Sequence, residues 1–277
     1  MKKILLAACS FAAISYASAQ QVRMPAPSTG QTVKQELGLG FVELSYSRPN
    51  IKDRKVFGDL VPFGKVWRTG ANQATVLSFT DSVTIGGKKL APGKYGLLTI
   101  PDQNNWTIII SKQLNVTSPA SYKAESDAVR VEAKPKMLND KVETFTMQFA
   151  NIQANSADLN IMWENTSVSL PIKTDVEANV MAQINNAMNK DNRPYFTAAL
   201  YYLNNGKDLN QAVTWFDKAI EQDPKAFWVY HQKANALAKL GKKADAKAVA
   251  QKSMDLAKEA KNDDYVALNE KLIATLK

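Results

Sequence analysis

The chain has 277 residues, a formal charge of +9, a single histidine and a single cysteine. One histidine excludes a histidine-based metal centre and one cysteine excludes a disulfide within the chain. The excess of Lys and Arg is spread over both halves, without the dense basic patch of a nucleic-acid binder, and the length suits two domains that each bury a core.

In the first nineteen residues, Lys2 and Lys3 precede an apolar run from Ile4 to Tyr16, and Ala17-Ser18-Ala19 supplies small residues for a peptidase. This predicts a signal peptide over 1–19, cleaved after Ala19, and a periplasmic or secreted protein. Leu6-Ala7-Ala8-Cys9 also matches a lipoprotein box. Only Ile4 and Leu5 precede that tetrad as apolar residues, however, and the run continues past Cys9, which favours cleavage over lipidation. No later stretch approaches the roughly 20 continuous apolar residues of a membrane span, so no transmembrane segment is expected.

Residues 20–30, with Pro25, Pro27, Ser28 and Gly30, read as a flexible leader. From 31 to 172 the apolar residues recur at every second position. Val42, Leu44 and Tyr46 alternate with polar neighbours, as do Phe145, Met147 and Phe149, and Leu159, Ile161 and Trp163. Gly86-Gly87 suits a two-residue hairpin, and Pro92-Gly93 and Asn104-Asn105 suit tight turns. About nine or ten short strands without intervening helices predict an antiparallel β-sandwich or barrel-like domain.

After Pro171 the period lengthens. Thr174 and Glu177 read as a capping box, and Val176, Val180, Ile184 and Met188 form the apolar stripe of a helix that packs on the next domain or bridges the two. Pro194 suits the first turn of a helix running to Asn204. Ala212 and Ala246 lie 34 residues apart, each after a loop glycine (Gly206, Gly241), which is the period of a tetratricopeptide repeat. Ala212, Phe216, Ala219 and Pro224 match that repeat; in the second unit Ala234, Gly241 and Ala246 match, while Ala250 replaces the usual aromatic and Lys258 the usual proline. Residues 173–277 are therefore expected to be a tetratricopeptide-like helical domain, and the fold class as a whole α+β.

The most distinctive stretch holds Ser47-Arg48-Pro49 and then Arg54 to Asn72, with Phe57, Phe63 and Trp67 between glycines and prolines. It has neither strand period nor linker composition, and predicts a compact loop over a sheet. This stretch, together with Thr84 to Leu90, Pro92 to Gly96 and Trp163-Glu164-Asn165-Thr166, resembles the domain-of-unknown-function family 2911, found in exported bacterial proteins, over roughly residues 27–172. The resemblance implies the same domain boundary and brings no activity with it. Members commonly carry Glu after Gly-Ala-Asn, where this chain has Gln73, and residues 113–127 depart from the family pattern.

Arg48, Arg54, Arg68 and Asn72, beside Trp67, are the candidate ligand-binding residues, suited to a carboxylate, a phosphate or a sugar. The same arginines would equally pin the loop by bonding main-chain carbonyls or carboxylates such as Asp59 or Glu164. No catalytic set is expected. His231 has no sequence-local partner and reads as a helix-surface or groove residue, no pair among Glu43, Asp53, Asp59 and Asp81 stands out as an acid pair, and no aspartate run resembles a calcium loop. No metal or cofactor is expected. The sequence thus points to an exported binding protein: a small polar ligand, glycan or anionic small molecule on the β domain, and a protein or peptide partner on the repeats. A carboxylate-dependent hydrolase of envelope polymers and a structural envelope assembly factor are the alternatives.

Overall fold

A computed structural model describes residues 24–190 and 192–276; the expected signal peptide and Cys9 lie outside the described residues. The chain divides into two compact units, one ending at Asp175 and one beginning at Val176.

The first unit holds ten strands among the described residues: β1 (Thr29–Leu37), β2 (Gly40–Arg48), β3 (Thr75–Phe79), β4 (Val83–Ile85), β5 (Lys88–Leu90), β6 (Gly93–Ile100), β7 (Trp106–Ser111), β8 (Asp127–Ala133), β9 (Lys136–Gln153) and β10 (Ser156–Thr174). They form an antiparallel six-stranded sheet in the order β1-β2-β3-β6-β7-β8 and a four-stranded sheet in the order β5-β4-β10-β9. Neither sheet closes on itself, so of the two architectures that alternation allowed, the open pair of sheets is the one formed. The alternating residues of both sheets meet in one core: Val42, Leu44 and Tyr46 from β2, Ile108 and Ile110 from β7, Phe145 and Met147 from β9, Leu159, Ile161 and Trp163 from β10.

Turn chemistry fixes the register. Gly86 and Gly87, with φ of 56° and 76°, close the two-residue hairpin that sets Ile85 opposite Lys88, a backbone that side-chain-bearing residues adopt at a cost. The long β9–β10 hairpin sets Leu159 opposite Phe149 and Ile161 opposite Met147, then slips: Met162 faces Thr146 but Glu164 faces Val142. Residues 143–145 therefore leave the ladder as a bulge, and their main-chain groups are freed for other partners.

The second unit holds six helices among the described residues: α1 (Glu177–Met188), α2 (Tyr195–Asn204), α3 (Leu209–Gln222), α4 (Phe227–Lys239), α5 (Lys243–Glu259) and α6 (Asp263–Thr275). The expected capping box at Thr174 does not form. Thr174 ends β10 opposite Val83 and its hydroxyl donates to Ser82 O at 3.1 Å, so α1 starts without a side-chain cap. The small residues behave as their spacing implied: Ala212, Phe216, Ala234, Ala246 and Ala250 are all fully buried, alanine letting neighbouring helices approach closely.

His231 is placed differently from its surface expectation. It is 8% exposed, and its Nδ1 lies 2.8 Å from Asn269 Oδ1 on α6. Asn269 Nδ2 donates to Ser253 Oγ at 2.9 Å and to Tyr265 O at 2.7 Å, and Ser253 Oγ donates to Phe227 O at 2.7 Å. With both amide protons committed, Asn269 Oδ1 is the acceptor, which assigns His231 as the Nδ1–H donor. α6, which the spacing of the repeat did not announce, covers this network.

Candidate functional site

The loop from Pro49 to Ala74 crosses the sheet pair and is held by main-chain bonds at several points. Phe145 N donates to Pro49 O at 2.8 Å and Ile51 N to Glu143 O at 3.0 Å, so the β9 bulge and the start of the loop pair with each other. Trp67 pairs with Thr99 of β6 in both directions, at 2.7 and 3.0 Å, continuing the line of β3 by one residue. Beneath it lies an aromatic cluster. Trp67 stacks on Trp163 with centroids 5.8 Å apart and meets Phe145 edge-on at 5.1 Å, while Phe57 meets Trp106 edge-on at 4.9 Å. Such rings carry much of the buried area of a core and hold their shape.

The turn after Trp67 is strained. Thr69, β-branched and fully buried, has φ of 54°, a conformation rare for its type. It is held by Thr69 Oγ1 with Thr99 Oγ1 at 3.0 Å and by Thr75 Oγ1 donating to Thr69 O at 2.6 Å. Gly70, at φ 149°, passes so close to β2 that a Cβ would lie 2.9 Å from Ser47 O. Lys52, Asp53 and Asn72 also have positive φ, and such residues persist only where the surroundings over-determine them.

Within this loop lies a cavity of about 570 Å³. Lys52, Arg54, Lys65 and Arg68 contribute four cations to its lining, and among the described residues no Asp or Glu lines it. Among the described residues none of the four forms a salt bridge. Trp67 and Trp163 both reach its wall. The remaining lining is largely proline and aliphatic.

Of the residues singled out in the sequence, Arg54, Trp67 and Arg68 meet at this cavity; Arg48 and Asn72 do not line it. Arg48 donates from Nε to Phe145 O at 3.0 Å and from Nη2 to Thr146 Oγ1 at 2.8 Å, fastening β2 to the bulge of β9. Asn72 Nδ2 donates to Ser28 O at 3.0 Å and holds the start of the domain against the loop. Arg54 donates to Ile51 O at 2.8 Å and Asn50 O at 2.7 Å, and Arg68 Nη1 donates to Thr117 O, while Arg68 Nε is buried without a partner. Each of these two guanidiniums thus spends part of its fork on the main chain and keeps donors over. Lys52, Lys65 and Trp163 join the site without having been singled out for it. Lysines in an exposed loop carry no sequence signal, whereas Trp163 stood in a quoted stretch.

The two-acid arrangement of a glycosidase-type hydrolase is not built here, since the lining has no carboxylate. An ionic cluster lies elsewhere, where the segment before β8 meets the start of that strand. Tyr122 OH donates to Asp127 Oδ2, which also receives Arg130 Nε at 2.8 Å. Burial, and then the bond to Asp127, push the Tyr122 hydroxyl above its ordinary value.

A profile of the family described as "Protein of unknown function (DUF2911)" matches residues 28–172, more than half of the chain. The chain belongs to the DUF2911 family. The DUF2911 match covers β1 to most of β10 and the whole cavity lining except Pro27. Two tetratricopeptide-repeat profiles match further on, over 193–225 and 215–248. The first spans α2 and α3; the second starts within α3 and ends in the first turns of α5, half a repeat out of step. No curated protein and no solved structure matches the DUF2911 chain. Among the described residues no helix is long and apolar enough to cross a membrane, and no group of three or more His, Cys, Asp or Glu could hold a metal ion.

Proposed function

We propose that this chain is an exported binding protein whose β domain takes a small anionic ligand, free or as the acidic group of a glycan, in the loop cavity, and whose helical repeats engage a protein or peptide partner. The observation that carries the ligand half is the lining itself: four cations, no salt bridge among them and no carboxylate. Positive charge without an ion-pair partner around a concave, partly apolar surface attracts and orients an anion, through charge-assisted bonds from arginine and the point charge of lysine. Rigid aromatic and proline walls lower the entropic cost of binding. The partner half rests on the tetratricopeptide matches and on stacked helix pairs that offer extended surfaces.

Calorimetric titration of the full chain with inorganic phosphate, glucuronate and neutral oligosaccharides tests the ligand half. The anions are expected to bind, more weakly as salt is raised, and Lys65→Glu is expected to weaken them about tenfold or more. Lys65 is exposed, so that change leaves the fold alone. Neutral sugars binding as well as the anions, or an unaffected Lys65→Glu protein, would defeat the reading.

A further inference from the structure

We infer that the ligand of the loop cavity is an amphipathic anion, one carboxylate, sulfonate or phosphate head on an apolar body, held in preference to a hydrophilic sugar acid or an inorganic ion; this rests on the reading of the cavity as an anion site. Three features of the lining support that narrower class.

The first is the kind of polar group present. A sugar presents several hydroxyls that each donate, and sites that hold one need acceptors as well as donors. The charged groups here are all donors, the four cations, and no charged acceptor faces them: the side-chain acceptors are the hydroxyls of Ser28, Thr117 and Ser118 and Asn50 Oδ1, which already accepts from Thr144 Oγ1 at 2.6 Å. A ligand with acceptor oxygens at one end and no donors elsewhere leaves nothing unpaired.

The second is what the tryptophans offer. Trp67 Nε1 donates to Gly70 O at 3.0 Å and Trp163 Nε1 to Glu143 O at 3.2 Å. Both indole donors are spent inside the protein, so the rings meet the cavity as apolar surface only.

The third is size and wall. About 570 Å³ falls within the range of pockets that enclose a drug-sized molecule, some 300–1,000 Å³. Pro49, Leu60, Val61, Pro62, Val66 and Pro119 form much of the wall. A phosphate ion would leave those walls in water, whereas an apolar body covers them and gains from the apolar surface removed from water. Lys52, Arg54 and Lys65 are exposed together with Leu60, Pro62 and Pro119, while Pro49, Val61 and Trp163 are buried, so cations and apolar surface lie side by side at the mouth and the deeper wall is apolar.

The test uses 1-anilinonaphthalene-8-sulfonate as a fluorescent amphipathic anion on the full chain, with competitors added to the bound probe. Saturable one-site binding is expected. Octanoate should displace the probe at a concentration at least about a hundredfold below that needed for glucuronate or inorganic phosphate. Octyl glucoside, with the same tail and no charge, should displace it poorly. Lys65→Glu and Leu60→Glu should each weaken the probe about tenfold or more; Leu60 is 41% exposed, so both variants are expected to keep the circular dichroism and unfolding transition of the parent. If glucuronate or phosphate competes as well as octanoate, the apolar body is wrong and the anion site stands. If octyl glucoside competes as well as octanoate, both the narrower inference and the anion site fall. Non-saturable probe binding, or binding that neither variant weakens, overturns the inference outright.

Discussion

Each unit is pinned by a polar network, and the two networks are built from opposite materials. In the β domain the pins are charged: Arg48 reaches Phe145 O, Arg54 reaches Ile51 O and Asn50 O, and Arg68 reaches Thr117 O. In the helical unit the links are neutral amide, hydroxyl and carbonyl groups in series: Asn269 donates to Ser253, Ser253 donates to the Phe227 carbonyl, and Asn269 Oδ1 meets His231 Nδ1. A guanidinium that donates to a carbonyl keeps its charge and its other N–H groups, whereas an amide chain that is fully paired leaves nothing over. The comparison accounts for the spare donors at the cavity among the arginines and for a buried histidine in the other unit whose Nδ1 is held by an amide.

The comparison is tested most severely where each core is densest. Trp163, 2% exposed, stacks on Trp67 and meets Phe145 and Phe57 edge-on, and Phe216 is fully buried among α2, α3 and α4. Trp163→Ala and Phe216→Ala are each expected to cost about 3–5 kcal/mol. In urea denaturation of the full chain, each should shift the transition of its own unit and leave the other in place; a single transition moved equally by both would show that the units do not unfold separately.

The pins come next. Arg48→Met removes two charge-assisted bonds and leaves the Phe145 carbonyl short of a donor, at a cost of about 1.5–3 kcal/mol. Because Arg48 does not line the cavity, ligand affinity should change far less than in Lys65→Glu. A large loss of affinity at preserved stability would mean that Arg48 reaches the ligand after all. Asn269→Leu breaks the neutral chain and strands Ser253 and His231, at about 1–3 kcal/mol. Ala250→Phe supplies the aromatic that the repeat usually has at that position. Ala250 is fully buried, so the ring has no room, and the substitution is expected to destabilise the helical unit by about 1–3 kcal/mol.

What could be read beforehand followed local periods. The alternation in β2, β9 and β10, the Gly86-Gly87 hairpin and the 34-residue spacing of Ala212 and Ala246 all depend on neighbours in the chain, and each appears where it was expected. What could not be read depended on distant pairing. The arginines were legible as forks, but not the distant partners of two of them: a bulge in β9 brings the Phe145 carbonyl to Arg48 of β2 from almost a hundred residues away, and Arg68 reaches Thr117 O. Thr174 carried a capping pattern, yet a longer β10 claimed its hydroxyl. His231 looked exposed because α6, which buries it through Asn269, carries no repeat signature. Two of the four cavity cations, Lys52 and Lys65, are ordinary loop lysines in the sequence and acquire meaning only through the walls folded around them.

The smallest expected effect is read by pH in the β domain. In the β domain, burial raises the Tyr46 hydroxyl above its ordinary value of 10.0, with the Met147 bond and the Arg48 charge opposing it in part; Tyr122 is raised by burial and by its bond to Asp127. A folded state that holds its phenol protons more tightly than the unfolded chain keeps its full stability below about pH 10 and loses it as pH rises from the ordinary value towards the raised one. The unfolding transition of the β domain should therefore fall in that window, with Tyr46→Phe and Tyr122→Phe each flattening the fall. Arg48→Met sharpens the point: without the cation that favours the phenolate, Tyr46 should titrate higher still, visible as a delayed rise in absorbance near 295 nm. An earlier rise would mean that Arg48 acts on Tyr46 through packing and not through charge.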